Sequence, residues 1–146
     1  MRKISSNFGT ALLILLLLTT PVFAFDQTMP LASDYIAGTY SNISAGSNGN
    51  LTISFRVTSP GFMTKLGATS IDIYENNGRT TKLVDTVHAT DAGYENMMGT
   101  GTSHASNITF GGTVGYQYYA KVHLTASDSS GEDTATSTSP TVTAKR

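Results

Sequence analysis

The chain has no cysteine and no tryptophan, only four prolines, and charged residues make up just 13% of its 146 positions. Without cysteine there is no disulfide, no thiolate metal ligand, no thiol nucleophile and no lipid-modified cysteine. A formal net charge of −1 leaves no electrostatic footprint for nucleic acid or an anionic membrane. Long apolar runs are also scarce. The single clear one, Ala11–Leu18, is far shorter than the about 20 residues that a bilayer-spanning helix needs.

That run sits in a targeting context. Arg2 and Lys3 precede it, five leucines fill its last six positions, and Thr19, Thr20 and Pro21 break it before Val22-Phe23-Ala24. A basic start, a short apolar stretch and a small residue at the exit read as a signal peptide over residues 1–24, cleaved after Ala24. Cleavage takes the basic count from 9 to 7 against 10 acidic residues, a net charge of −3. The expectation is a secreted, extracellular protein with no membrane anchor after processing. Small exported eukaryotic domains usually rely on disulfides, so a cysteine-free one fits a bacterial, Gram-positive source.

Residues 25–34 carry Pro30 and no periodicity and read as a lead-in, leaving 35–146 as one domain. Thr, Ser and Gly dominate it, suiting solvent-facing strand positions and turns. Leu51, Ile53, Phe55 and Val57 alternate without fault with Thr52, Ser54, Arg56 and Thr58, the mark of a strand with one buried face. A preceding strand over Ala37–Ala45 ends in the turn signal Gly46-Ser47-Asn48-Gly49. Further strands are expected over Ala68–Glu75 and, after Asn76-Asn77-Gly78, over Thr80–His88, with Leu83 and Val87 sharing a face. Three more cover His104–Phe110, Tyr118–Ala126 and Asp133–Val142, the last an edge or bulged strand because Pro140 lacks a ladder donor. About seven short antiparallel strands separated by turns predict an all-β, two-sheet β-sandwich.

The run Gly112-Thr113-Val114-Gly115-Tyr116-Gln117-Tyr118-Tyr119-Ala120-Lys121-Val122, followed by Ala126–Asp133, resembles the sixth strand and next hairpin of fibronectin type III domains. In these immunoglobulin-like sandwiches a tyrosine at the strand entrance bonds back across the turn. The likeness implies that role for Tyr118 or, at the same parity, Tyr116. The tryptophan typical of the family is missing, so Phe55 would fill its space. Taken whole, with Tyr94-Glu95-Asn96-Met97-Met98-Gly99 and Ser103-His104-Ala105-Ser106, the chain also resembles small secreted proteins of unknown function from Gram-positive anaerobes. That resemblance implies export and a sandwich and brings no activity.

Chemistry-bearing patterns are sparse. No serine lies in a Gly-x-Ser-x-Gly elbow, and His88, His104 and His123 fall on three separate strands without metal-ligand spacing. His123 is expected to face solvent and His104 to be buried and hydrogen-bonded. Asp128–Asp133 concentrates oxygens, yet Asp, Ser and Gly are also what a hairpin needs, as are Asp91 and Glu95 in their loop. No catalytic residue, cofactor or metal site is expected. Three Asn-x-Ser/Thr triplets begin at Asn42, Asn50 and Asn107 and are read as products of a Thr-rich composition.

The segment Ala89–Ser103 stands out as a long connection carrying Tyr94, Met97 and Met98 among glycines. Exposed, it would make an adaptable contact surface; folded back, Met97 and Met98 would plug one end of the domain. Outward Tyr74 and Tyr119 offer a platform for a sugar ring. The functional expectation is a non-catalytic extracellular binding or surface-interaction module. Its partner is a protein or glycan, the candidate interaction residues are Tyr94, Met97 and Met98, and the domain acts as a monomer. The alternative is a structural subunit associating through edge strands.

Overall fold

A computed structural model describes residues 34–146. The expected signal peptide and all but the last residue of the lead-in lie outside the described residues. Seven strands follow in order: β1 (Gly38–Ala45), β2 (Asn50–Asn76), β3 (Thr81–His88), β4 (Met98–Gly111), β5 (Gln117–Ser127), β6 (Glu132–Thr138) and β7 (Val142–Thr143). Among the described residues one 3-10 turn, Glu95–Met97, occurs, just before β4. Every pairing is antiparallel, and all seven strands belong to one hydrogen-bonded sheet. The domain is therefore all-β.

β2 organises the sheet. Its 27 residues merge the two separate strands expected over Leu51–Thr58 and Ala68–Glu75. The first half, Asn50–Thr58, lies between β1 and β4, while the second half lies between β3 and β5. The sequence reading breaks here because Pro60, Gly61 and Gly67 interrupt the alternation. The strand survives because Pro60 falls in the register gap between Thr58 and Met63, where no ladder donor is needed. Irregularities at Thr58/Met63/Leu66 and at Ala68/Ser70 each reset which side chains point inward. Buried parity thus runs Leu51, Ile53, Phe55, Val57, then Leu66, Ala68, then Ile71, Ile73.

The sheet curls around this side. The inward faces of β1 and β6 meet across the interior, where the Ser41 and Ser137 hydroxyls lie 2.8 Å apart. The end of the chain closes one rim: Gly49 N–H donates to the Lys145 carbonyl (2.7 Å) and Ala144 N–H to the Tyr116 carbonyl (2.9 Å). The hairpin between β1 and β2 turns through Asn48 and Gly49, both at positive φ, as the Asn-Gly signal predicts. One continuous core results, with Leu51, Ile53, Leu66, Ile71, Ile73, Met97, Tyr118 and Leu124 essentially inaccessible. Phe55, 2% exposed, is part of it.

Three local expectations need correction. Leu83 does not share the inward face with Val87: a bulge at Val84 shifts the β3 register, so Val84 packs against the core and Leu83 points out, 51% exposed. The long loop Ala89–Ser103 is short, because β4 already starts at Met98 and pairs Gly99 with Leu66 and Gly101 with Met63. The strand expected over Asp133–Val142 is two pieces, β6 and β7, divided at Pro140, where the ladder loses its donor.

Candidate functional site

The connection from β3 to β4 is built from its own polar groups. Asp91 accepts from His88 N–H (2.8 Å), and the Glu95 carboxylate accepts from Gly93 N–H. Backbone hydrogen bonding, first from Glu95's own N–H and then from Gly93, holds the Glu95 carboxyl below its ordinary range against a smaller opposing effect of burial. Met97 N–H closes the 3-10 turn on the Tyr94 carbonyl, and the His104 ring bonds the Asn96 carbonyl at 2.9 Å. Both acidic residues of the loop thus serve its folding.

The three candidate interaction residues separate. Met97 is fully buried, Tyr94 is half-buried against the core, and Met98 opens β4 with its side chain partly accessible. Met98 lines a groove of about 540 Å³ at the bend of β2. Thr64 and Thr69 from the bend, Ala89 and Thr90 from the connection, and Thr125 from β5 complete most of its wall. Lys65 and Glu132 stand on opposite sides of it, each facing Ser127 across the ladder, so their backbones are about 9–10 Å apart by strand spacing. Lys65 and Glu132 escape a sequence reading because only strand register brings them together.

On the outer face of the second half-sheet, a polar row crosses four strands. Thr86 of β3 donates to Asp72 of β2 (2.8 Å), Asp72 lies 3.0 Å from His123 Nε2 of β5, and His123 Nδ1 lies 3.2 Å from Thr136 of β6. His123 faces outward as its parity predicts, but it is tied on both sides. Burial works to raise the Asp72 carboxyl. The hydrogen bonds from His123 and Thr86 and the nearby charges of His123 and Lys121 outweigh it, leaving the group below the ordinary carboxylate range. A hydroxyl, an imidazole and a carboxylate stand in line here, yet none of the three lines the groove.

Tyr74 and Tyr119 stack on each other, ring centroids 4.8 Å apart and planes within 3°, with the Lys121 ammonium 5.2 Å from the Tyr74 ring. Each ring gives one face to the other, so the pair braces β2 against β5.

Of the two corner candidates, Tyr118 is buried and Tyr116 is 36% exposed. Thr113 N–H donates to the Tyr118 hydroxyl (2.8 Å), which in turn donates to Glu75. That bond from Tyr118 is the largest influence lowering the Glu75 carboxyl, with Lys82 at 3.3 Å adding to it against burial. Burial, then the same contact with Glu75, raises the Tyr118 phenol.

The acidic hairpin Asp128–Asp133 is occupied by turn bonds. Asp128 accepts from Ser130 N–H (2.6 Å), Glu132 from the Thr125 hydroxyl (2.6 Å), and Asp133 from Tyr35 N–H (3.0 Å). Among the described residues no three His, Asp or Glu side chains cluster for a metal. The chain matches no protein-family model and no curated protein.

Proposed function

We propose that the chain is an exported, non-catalytic binding module that takes an extended segment of a partner protein in the groove at the β2 bend. The observation that carries this reading is the groove itself. Its wall is largely threonine methyls and hydroxyls with the flexible Met98 thioether, flanked by one cation and one anion. Opposed charges at strand spacing suit a polypeptide, which carries both signs, better than a neutral sugar. The signal-like residues 1–24 support export, and the lack of cysteine supports a Gram-positive source. We read the curled sheet as a variant of the two-layered fibronectin type III or immunoglobulin-like sandwich. Support comes from the two halves of β2, which have different neighbours, and from the Tyr118 bond back to Thr113.

Methyl-resolved NMR of the full chain against a panel of unstructured peptides and soluble glycans tests the groove. Perturbations centred on Met98, Ala89 and Thr64 by a peptide, abolished by Met98→Lys, are expected. Peptide binding that survives Met98→Lys unchanged, or no peptide binding, overturns the reading.

One observation favours the second reading, a subunit that associates through strand edges. β3 carries Lys82, Asp85 and a bulge, and β6 carries Glu132 and Asp133 and stops before Pro140. The 14-residue β4 has neither charge of fixed sign nor proline, and among the described residues it pairs with β2 alone.

A further inference from the structure

The outer face of β1, the first half of β2 and β4 has a distribution of charge unlike the rest of the domain. No Asp or Glu occurs from residue 35 to 71 or from 96 to 127, so all three strand segments are free of acid. Arg56 is the single fixed charge on this face. It is exposed, and neither ion pair among the described residues involves it.

Register builds a surface around it. Tyr40, Arg56 and Ala105 form one cross-strand row, and Asn42, Ser54 and Asn107 form the next on the same side. Tyr40 is 57% exposed. The small residues beside this pair leave two shallow depressions that share Tyr40 and Arg56. One, of about 240 Å³, opens over Ala105 toward Ser54 and Asn107. The other, of about 190 Å³, opens over Gly38 toward Thr58. An unpaired guanidinium fork beside an exposed aromatic ring, with amides and a hydroxyl one row away, is a complementary set for a particular chemistry. Guanidinium binds carboxylate through two parallel hydrogen bonds. The tyrosine face packs on the C–H face of a pyranose, and amides and hydroxyls pair with its hydroxyls. Successive rows on one face are about 7 Å apart, which spans one sugar ring.

We infer that this face is a binding site for a uronate-containing saccharide, with Arg56 holding the carboxylate, Tyr40 stacking on the ring and Asn107, Ser54 and Asn42 meeting its hydroxyls. The site shares no lining residue with the groove and does not depend on it. The exposed positions of Arg56 and Tyr40 keep the fold independent of the substitutions that test it.

Isothermal titration of the full chain with trigalacturonate and with neutral galactotriose decides the matter. Binding of the acidic trisaccharide alone is expected. It should weaken at least tenfold in Arg56→Gln, less in Arg56→Lys, which keeps the charge and loses the fork, and several-fold in Tyr40→Ala. Lys121→Gln, a cation on the other half-sheet, should leave it unchanged. Equal binding of the two trisaccharides, an equal loss in Lys121→Gln, an unchanged affinity in Arg56→Gln or no binding of trigalacturonate overturns the assignment. Dichroism of each variant separates lost binding from lost fold.

Discussion

Two carboxylates are held as anions by neighbours that the folded chain brings to them. Glu75 is buried at the β2–β5 ladder, where the Tyr118 hydroxyl and the Lys82 ammonium reach it. Asp72 sits in the row shared with His123 and Thr86. Both carboxyls lie below their ordinary values in the folded state, so each stabilises the fold above the unfolded carboxylate range of about 4. That contribution is lost as pH falls through the lowered folded values. Thermal melts from neutral pH downward are expected to show a falling midpoint below about pH 4. Asp72→Asn should flatten part of that fall. Tyr118→Phe removes the largest influence on Glu75 and leaves Thr113 N–H without its acceptor. A loss of about 1–2 kcal/mol in urea unfolding and a shallower acid limb are expected. An unchanged acid limb in both variants would show that these contacts do not govern the titration. Parity alone points to Tyr118 or Tyr116 as the inward tyrosine, but neither acid partner is legible, since Glu75 and Asp72 precede their partners by 43 and 51 positions.

Elements were legible where alternation is unbroken and obscured where a bulge resets it. The first half of β2 keeps one parity throughout and β5 keeps one as far as Leu124, and the inward residues of that half of β2 are those the sequence indicates. Across Ser59–Ser70 the inward parity changes twice, and no rule of period two follows a strand through that. The same device at Val84 turns Leu83 outward. The bend also explains Gly67. A Cβ there would collide with the Met97 carbonyl oxygen, so β2 and the start of β4 approach more closely than any side chain permits. Gly67→Ala is expected to cost about 1–3 kcal/mol through overpacking. Met97→Ala should cost about 2–5 kcal/mol through the cavity left by a fully buried side chain. Chemical denaturation measures both. A near-neutral Met97→Ala would mean that the turn Glu95–Met97 does not plug the core.

At the scale of the molecule, a strand count of seven was legible, while the way the strands join was not. Two expected strands are one, one expected strand is two, and the pairing partners of β2 follow from contacts far apart in sequence. Association belongs to this scale as well. If β4 recruits a second copy, sedimentation equilibrium shows a concentration-dependent dimer. Thr109→Lys, which places a charge on that edge opposite Thr52, removes it. A monomer at every concentration leaves the second functional reading without support.

The length of β2 also has a consequence for how the chain is made. Only β1 precedes it; β3, β4 and β5 all come later, and β5 ends at Ser127. Between the emergence of residue 76 and that of residue 127 the ribosome must add 51 residues, roughly 3–10 s at ordinary elongation rates. At its start only the β1 flank of the first half of β2 has a partner, and the β5 flank of the second half is the last to be claimed. Translation speed over residues 77–127 therefore sets how long a nascent chain can be captured by a chaperone or by its own neighbours.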